Sequence, residues 1–143
     1  MPNYLGRFVE DLRFQHPCAL LVSGTTGAGK SNFVKNIIER RGIKGRINTI
    51  YYFMPKMETL DITPNPGQKI YYFPGLPTEK WVRDTFHEST HDSLVIIDDQ
   101  WSAAIESEVV SNLTTFGRRH DGISIIMITQ NFYEKAKRAI IIR

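Results

Sequence analysis

The sequence has a single cysteine, Cys18, and therefore cannot form a disulfide bond within the chain. We interpret Cys18, which precedes an apolar run, as a small buried residue rather than a nucleophile. No apolar stretch reaches the roughly 18 residues needed to cross a membrane, and the first residues lack the pattern of a signal peptide. With a length of 143 residues, these absences predict one intracellular domain, 1–143, without a membrane partner. Residues 1–15 are expected to form an N-terminal arm or helix.

Charge and histidine spacing exclude several further classes. The 18 Lys and Arg against 15 Asp and Glu give a net charge of +3, which is too balanced for a protein that coats nucleic acid. The four histidines lack the spacing to cysteines or carboxylates that a zinc site needs. No Asn-Lys-x-Asp element, typical of guanine recognition, occurs in the sequence. Neither a zinc protein nor a GTPase is therefore predicted.

Apolar runs alternate with segments of helical periodicity along most of the chain. We predict strands at 19–22, 49–53, 69–73, 93–97 and 123–128, and helices at 32–41, 79–86 and 102–116. Strands that alternate with helices favour an α/β fold with a mainly parallel sheet flanked by helices.

A glycine-rich loop lies between the first predicted strand and the first predicted helix. Residues 24–31 match Gly-x-x-x-x-Gly-Lys-Ser, and the strand before and helix after are the context this phosphate-binding loop requires. Lys30 is expected to reach the β- and γ-phosphates, and the Ser31 hydroxyl to bind Mg²⁺. The residues predicted to bind the nucleotide are Gly24, Thr25, Thr26, Gly27, Ala28, Gly29, Lys30, Ser31 and Asn32. The loop predicts a P-loop NTPase that uses ATP with Mg²⁺.

Polar residues at the ends of two later strands predict the rest of a catalytic site. Asp98 follows four apolar residues and is expected to hold hydrated Mg²⁺, and Asp99 to act as the general base. Gln130 ends the last predicted strand, where an amide can contact both the γ-phosphate and the attacking water. Arg118 and Arg119 precede that strand and are candidates to face a neighbouring subunit's nucleotide, with a surface pair or a DNA-phosphate contact as the alternatives.

The ordered set of motifs resembles viral genome-packaging ATPases of the FtsK/HerA superfamily, particularly the poxvirus-like, adenovirus-like and virophage or Polinton-type enzymes. The motifs are residues 23–31, Phe-Pro-Gly-Leu-Pro at 73–77, the acidic strand at 95–99, Gly-Arg-Arg-His at 117–120 and Thr-Gln-Asn at 129–131. The resemblance implies a RecA-like core in a homo-oligomeric ring that hydrolyses ATP to move double-stranded DNA into a capsid through its portal vertex. It also implies a location in the host cytoplasm or nucleus where virions assemble, or in the virion.

Two departures from this family leave alternatives open. Many members carry Glu where this chain has Asp99, and the RecA-like core continues with a further strand, which the apolar residues 139–142 only begin. The chain is thus expected to be a C-terminally truncated piece of a longer ATPase domain. A small-molecule or nucleotide kinase and a non-hydrolysing ATP-binding assembly switch remain the alternative functions.

Overall fold

The computed structural model describes residues 13–24, 29–86, 92–115 and 122–130. The strands are β1 (Phe14–Gln15), β2 (Ala19–Ser23), β3 (Ile43–Lys44), β4 (Thr49–Met54), β5 (Lys69–Pro74), β6 (Ser93–Asp98) and β7 (Ile123–Thr129). The helices are α1 (Lys30–Glu39), α2 (Glu79–Thr85), α3 (Trp101–Glu106) and α4 (Glu108–Asn112). No helix in these ranges is long and apolar enough to cross a membrane.

Five strands form one parallel sheet in the order β2-β7-β6-β4-β5. The predicted α/β class with a mainly parallel sheet is confirmed, and β1 pairs with β3 in a separate small sheet. Because all five strands run the same way, their carboxyl ends meet at one edge of the sheet. The strand that precedes the glycine-rich loop, β2, is separated from the acidic strand β6 by β7 alone.

Helices and a long connection cover both faces of the sheet. On one face, α1 packs against alternate residues of β4, β6 and β7, such as Ile50, Ile96 and Ile126. On the other, α3 and α4 pack against the intervening residues, such as Val95 and Ile125. The central strands β6 and β7 are therefore buried on both sides, which explains their nearly continuous apolar sequences.

One predicted helix is broken in the structure. The sequence predicted a single helix over 102–116, but Ser107 adopts an extended backbone and divides the segment into α3 and α4. The Ser107 hydroxyl accepts a hydrogen bond from the Val110 N–H at 3.2 Å and so caps α4. Serine is a strong N-cap residue, and this local preference overrides the continuous helical periodicity.

The connection between β4 and β5, residues 55–68, contains no helix or strand and lies along α1. Lys35 forms an ion pair with Asp61 at 3.5 Å. The Thr63 N–H donates to Oε2 of Glu39 at 2.9 Å. Near the end of the connection, Nδ2 of Asn65 donates to the carbonyl of Ile38 at 2.8 Å, and Nε2 of Gln68 to the carbonyl of Ile47 at 2.9 Å. The connection is thus bound to α1 over the helix's second half.

Candidate functional site

A cavity of about 530 Å³ opens at the carboxyl edge of the sheet. Among the described residues, four parts of the chain line it: the start of α1, the residues after β4, the end of β6 and the end of β7. The lining residues are Gly29, Lys30, Asn32, Pro55, Lys56, Glu58, Asp98, Asp99, Ile128, Thr129 and Gln130. Parallel α/β sheets commonly bind ligands at this edge, because the connections that leave adjacent strands can go to opposite faces of the sheet and open a crevice there.

The start of α1 forms the cationic side of the cavity. Gly29 is the N-cap residue with φ 87° and ψ 17°, a left-handed conformation that favours glycine. No side chain among the described residues caps this end, and the first turn has no acidic residue. Its backbone N–H groups and the positive end of the helix dipole therefore favour an anion. Nζ of Lys30 donates to the carbonyl of Gly24 at 2.6 Å. The ammonium group is thereby held across the base of the glycine-rich loop.

Asp98, the last residue of β6, provides a half-buried carboxylate. Its Oδ2 accepts a hydrogen bond from the hydroxyl of Tyr52, on the neighbouring strand β4, at 2.9 Å. Burial is the main cause that raises the pKa of Asp98, and the charges of Asp99 and Glu58 raise it further. The Tyr52 hydrogen bond and the Lys30 ammonium act in the opposite direction. Burial and the neighbouring acids therefore outweigh the two groups that favour the ionised form of Asp98.

Asp99 adopts an uncommon backbone conformation immediately after β6. Its φ of 56° lies in the left-handed region, which aspartate tolerates better than most residues. The Asp99 N–H donates to the carbonyl of Ile128 on β7 at 2.8 Å, which fixes the turn. Asp99 also lines an adjoining cleft of about 360 Å³ beside the start of α3. The two consecutive acids therefore differ in setting: Asp98 continues the strand, and Asp99 turns out of it.

Gln130 lines the cavity together with Lys30 at the start of α1 and Asp98 at the end of β6. It follows β7 directly, and β7 lies between β2 and β6. The Gly24 N–H donates to the carbonyl of Thr129 at 3.2 Å, so the start of the glycine-rich loop is bonded to the residue before Gln130. The strand order thus gathers Lys30, the pair Asp98 and Asp99, and Gln130 from three distant segments of the sequence around one cavity.

Other predicted site residues have different outcomes. Gly24 binds Lys30 through its carbonyl but does not line the cavity, and Ser31 lies in the first turn of α1. The remaining predicted residues lie outside the described residues: Thr25, Thr26, Gly27, Ala28, Arg118 and Arg119.

The residues that follow β4 were not predicted as part of the site. Pro55, Lys56 and Glu58 form one wall of the cavity. They belong to the Pro-containing connection that crosses α1, and no motif marks them. The usable signal was positional, because β4 is predicted as a strand of the same sheet and its carboxyl end must reach the same edge.

A divalent cation brought in with a nucleotide fits this donor set. In the parts of the chain that the structure describes, no group of three or more His, Cys, Asp or Glu side chains is arranged to hold a metal by itself. Magnesium usually needs only one or two carboxylates, because phosphate and water oxygens complete its six ligands. Asp98 supplies one such carboxylate, and Asp99 and Glu58 line the same cavity.

The cavity thus combines an uncapped helix start and a lysine with carboxylates and an amide on the facing strand ends. Such a site can bind a polyanion, hold a cation beside it and remove a proton from water. Comparison with protein-family models, curated proteins and solved structures finds no match to this chain.

Proposed function

We propose that this chain binds ATP with Mg²⁺ in the cavity at the carboxyl edge of the sheet and hydrolyses the bond to the γ-phosphate. The observation that carries the proposal is the position of Lys30, at the start of a helix, in the same cavity as Asp98, Asp99 and Gln130. Catalysis of phosphoanhydride hydrolysis depends on binding and neutralising the phosphate charge and on positioning the attacking water, and these residues can serve both purposes.

Each residue has a distinct role in this proposal. Lys30 and the first N–H groups of α1 bind the β- and γ-phosphate oxygens, and Asp98 holds the cation that offsets their charge. Asp99 accepts a proton from water as the water oxygen bonds to the γ-phosphorus and the bond to the ADP oxygen breaks. Gln130 orients that water. ADP and inorganic phosphate are the products.

The proposal further includes a motor activity, in which hydrolysis drives the movement of double-stranded DNA. The placement of β7 between β2 and β6 is compatible with a RecA-like core, and it puts Gln130 next to both the phosphate loop and the acids. A residue in that position can transmit the presence of the γ-phosphate to β7 and beyond. The further proposal of a homo-oligomeric ring that couples hydrolysis to DNA packaging at a capsid vertex rests on the motif resemblance described above.

Steady-state hydrolysis of Mg²⁺-ATP, with and without long double-stranded DNA, tests the proposal. We expect Lys30→Ala to lower hydrolysis at least about 100-fold, since it removes a group that stabilises transition-state charge. Lys35→Ala is the matched control, because Lys35 lies on the same helix, pairs with Asp61 at 3.5 Å and does not line the cavity.

The same assay separates the alternative functions. Hydrolysis that DNA stimulates and Lys30→Ala removes supports the motor. Phosphate transfer to an added mononucleotide, with no response to DNA, would establish a kinase instead. Mg²⁺-dependent ATP binding without turnover would favour a switch that does not hydrolyse ATP.

A further inference from the structure

The hydroxyl of Tyr52 lies at the boundary between the core and the cavity. Tyr52 is 2% exposed and its ring packs in the cluster between the sheet and α1. Its oxygen is 2.9 Å from Oδ2 of Asp98, which lines the cavity. A phenylalanine would fill the same apolar space. The hydroxyl of Tyr52 therefore contributes through its hydrogen bond to Asp98 rather than through core packing.

The strand register accounts for this hydrogen bond. Tyr52 on β4 lies opposite Ile96 on β6, and Asp98 is two residues further along β6 on the same face. Such a diagonal pair of parallel positions is within reach of an aromatic side chain but not of a short one. The bond is therefore built into the sheet and does not depend on a loop.

We infer that Tyr52 is a positioning residue for the cation that accompanies ATP, an inference that rests on the proposed function. Its hydroxyl donates a hydrogen bond to Oδ2 of Asp98 and holds the carboxylate in one orientation. The other oxygen, Oδ1, accepts no hydrogen bond from the described residues and is left for the cation or its water. Groups that orient a metal-binding carboxylate in this way commonly change metal affinity 10- to 100-fold when removed.

The test is Tyr52→Phe, measured as the Mg²⁺ dependence of fluorescent ATP-analogue binding rather than as turnover. We expect the half-saturating Mg²⁺ concentration to rise about tenfold, while analogue affinity in EDTA stays unchanged. Tyr72→Phe is the matched control, because Tyr72 is the register partner of Tyr52 on β5, with ring centroids 5.7 Å apart, and it makes no hydrogen bond to Asp98. Thermal unfolding of both variants checks that the chain is folded at the assay temperature.

A double-mutant cycle with Asp98→Asn distinguishes positioning from a structural role. If Tyr52 acts through Asp98, Tyr52→Phe has no further effect on the Mg²⁺ requirement in the Asp98→Asn background. An unchanged Mg²⁺ requirement in Tyr52→Phe, with Mg²⁺-dependent binding intact in the natural sequence, overturns the inference alone. Absence of Mg²⁺-dependent binding in the natural sequence overturns the proposed function and the inference with it.

Discussion

The left-handed conformation of Asp99 leads to a prediction that separates its backbone role from its carboxylate. At φ 56° an ordinary L-residue is disfavoured by about 1–2 kcal/mol, whereas Asp and Asn tolerate the region. Asp99→Asn and Asp99→Ala both remove the charge, but only alanine also incurs the backbone cost. We expect Asp99→Ala to be less stable than Asp99→Asn by about 1 kcal/mol, which corresponds to roughly 3–5 °C in Tm for a chain of this size.

Activity is expected to follow the carboxylate rather than the backbone. Loss of a general base typically costs 10²–10⁴-fold, so both variants should lose hydrolysis to a similar extent despite their different stabilities. Asp99→Glu keeps a carboxylate but places a less tolerant residue in the left-handed region. We expect it to be less stable than the natural sequence, which is a physical reason for Asp rather than Glu at this position.

Thermal unfolding and ATP hydrolysis measured on the same preparations test this reasoning. The control is the same pair of substitutions at Asp84 in the helix α2, where the order of stability should reverse because alanine has the higher helix propensity. Equal stability of Asp99→Ala and Asp99→Asn would refute the backbone argument. Hydrolysis by Asp99→Asn within a few-fold of the natural sequence would refute the role of Asp99 as base.

Two further predictions concern other groups in the cavity. Burial and nearby acids raise the pKa of Asp98 in the folded chain. Above that pKa the ionised carboxylate lowers the free energy of unfolding. This loss disappears as the pH falls toward about 4, the pKa of Asp in the unfolded chain. Asp98→Asn removes the charge but keeps an acceptor for Tyr52. In EDTA its Tm should therefore exceed that of the natural sequence at pH 8, and the difference should shrink toward pH 4. A lower Tm for Asp98→Asn at every pH would contradict this. If Lys56 contacts phosphate, Lys56→Ala should weaken ATP-analogue binding about tenfold, or 1.4 kcal/mol. Lys80→Ala on α2 is the control and should leave binding unchanged. Equal affinities of Lys56→Ala and the natural sequence, measured by titration, would exclude the contact.

The strands of the central sheet could be predicted from the sequence because each contains a short run of mainly apolar or aromatic residues. The predicted strand at 49–53 and the observed β4 at Thr49–Met54 differ by one residue. The prediction of a single helix over 102–116 was wrong because a serine N-cap interrupts an otherwise continuous periodicity. The two-residue strands β1 and β3 were missed, since runs so short carry no periodicity.

The candidate site was predictable where a local motif and a strand end coincide. Lys30 and Asp98 follow from that rule, and the structure places both in one cavity. Tyr52 could not be found in this way, because its hydrogen bond depends on the register between β4 and β6. Lys56 and Glu58 required knowledge of how residues 55–68 cross α1, which no short pattern encodes.

The path of residues 55–68 joins the cavity at the carboxyl edge of the sheet to the opposite edge, where β4 and β5 begin. The cavity is lined on one side by the start of α1 and on the other by Lys56 and Glu58, and both elements are joined again where Asn65 binds the carbonyl of Ile38. Gln68 continues the connection to Ile47, just before β4 begins. The ten residues of α1 span roughly 15 Å. The start of α1 at the cavity and the residues that precede β4 are therefore connected by hydrogen bonds across the full length of the helix.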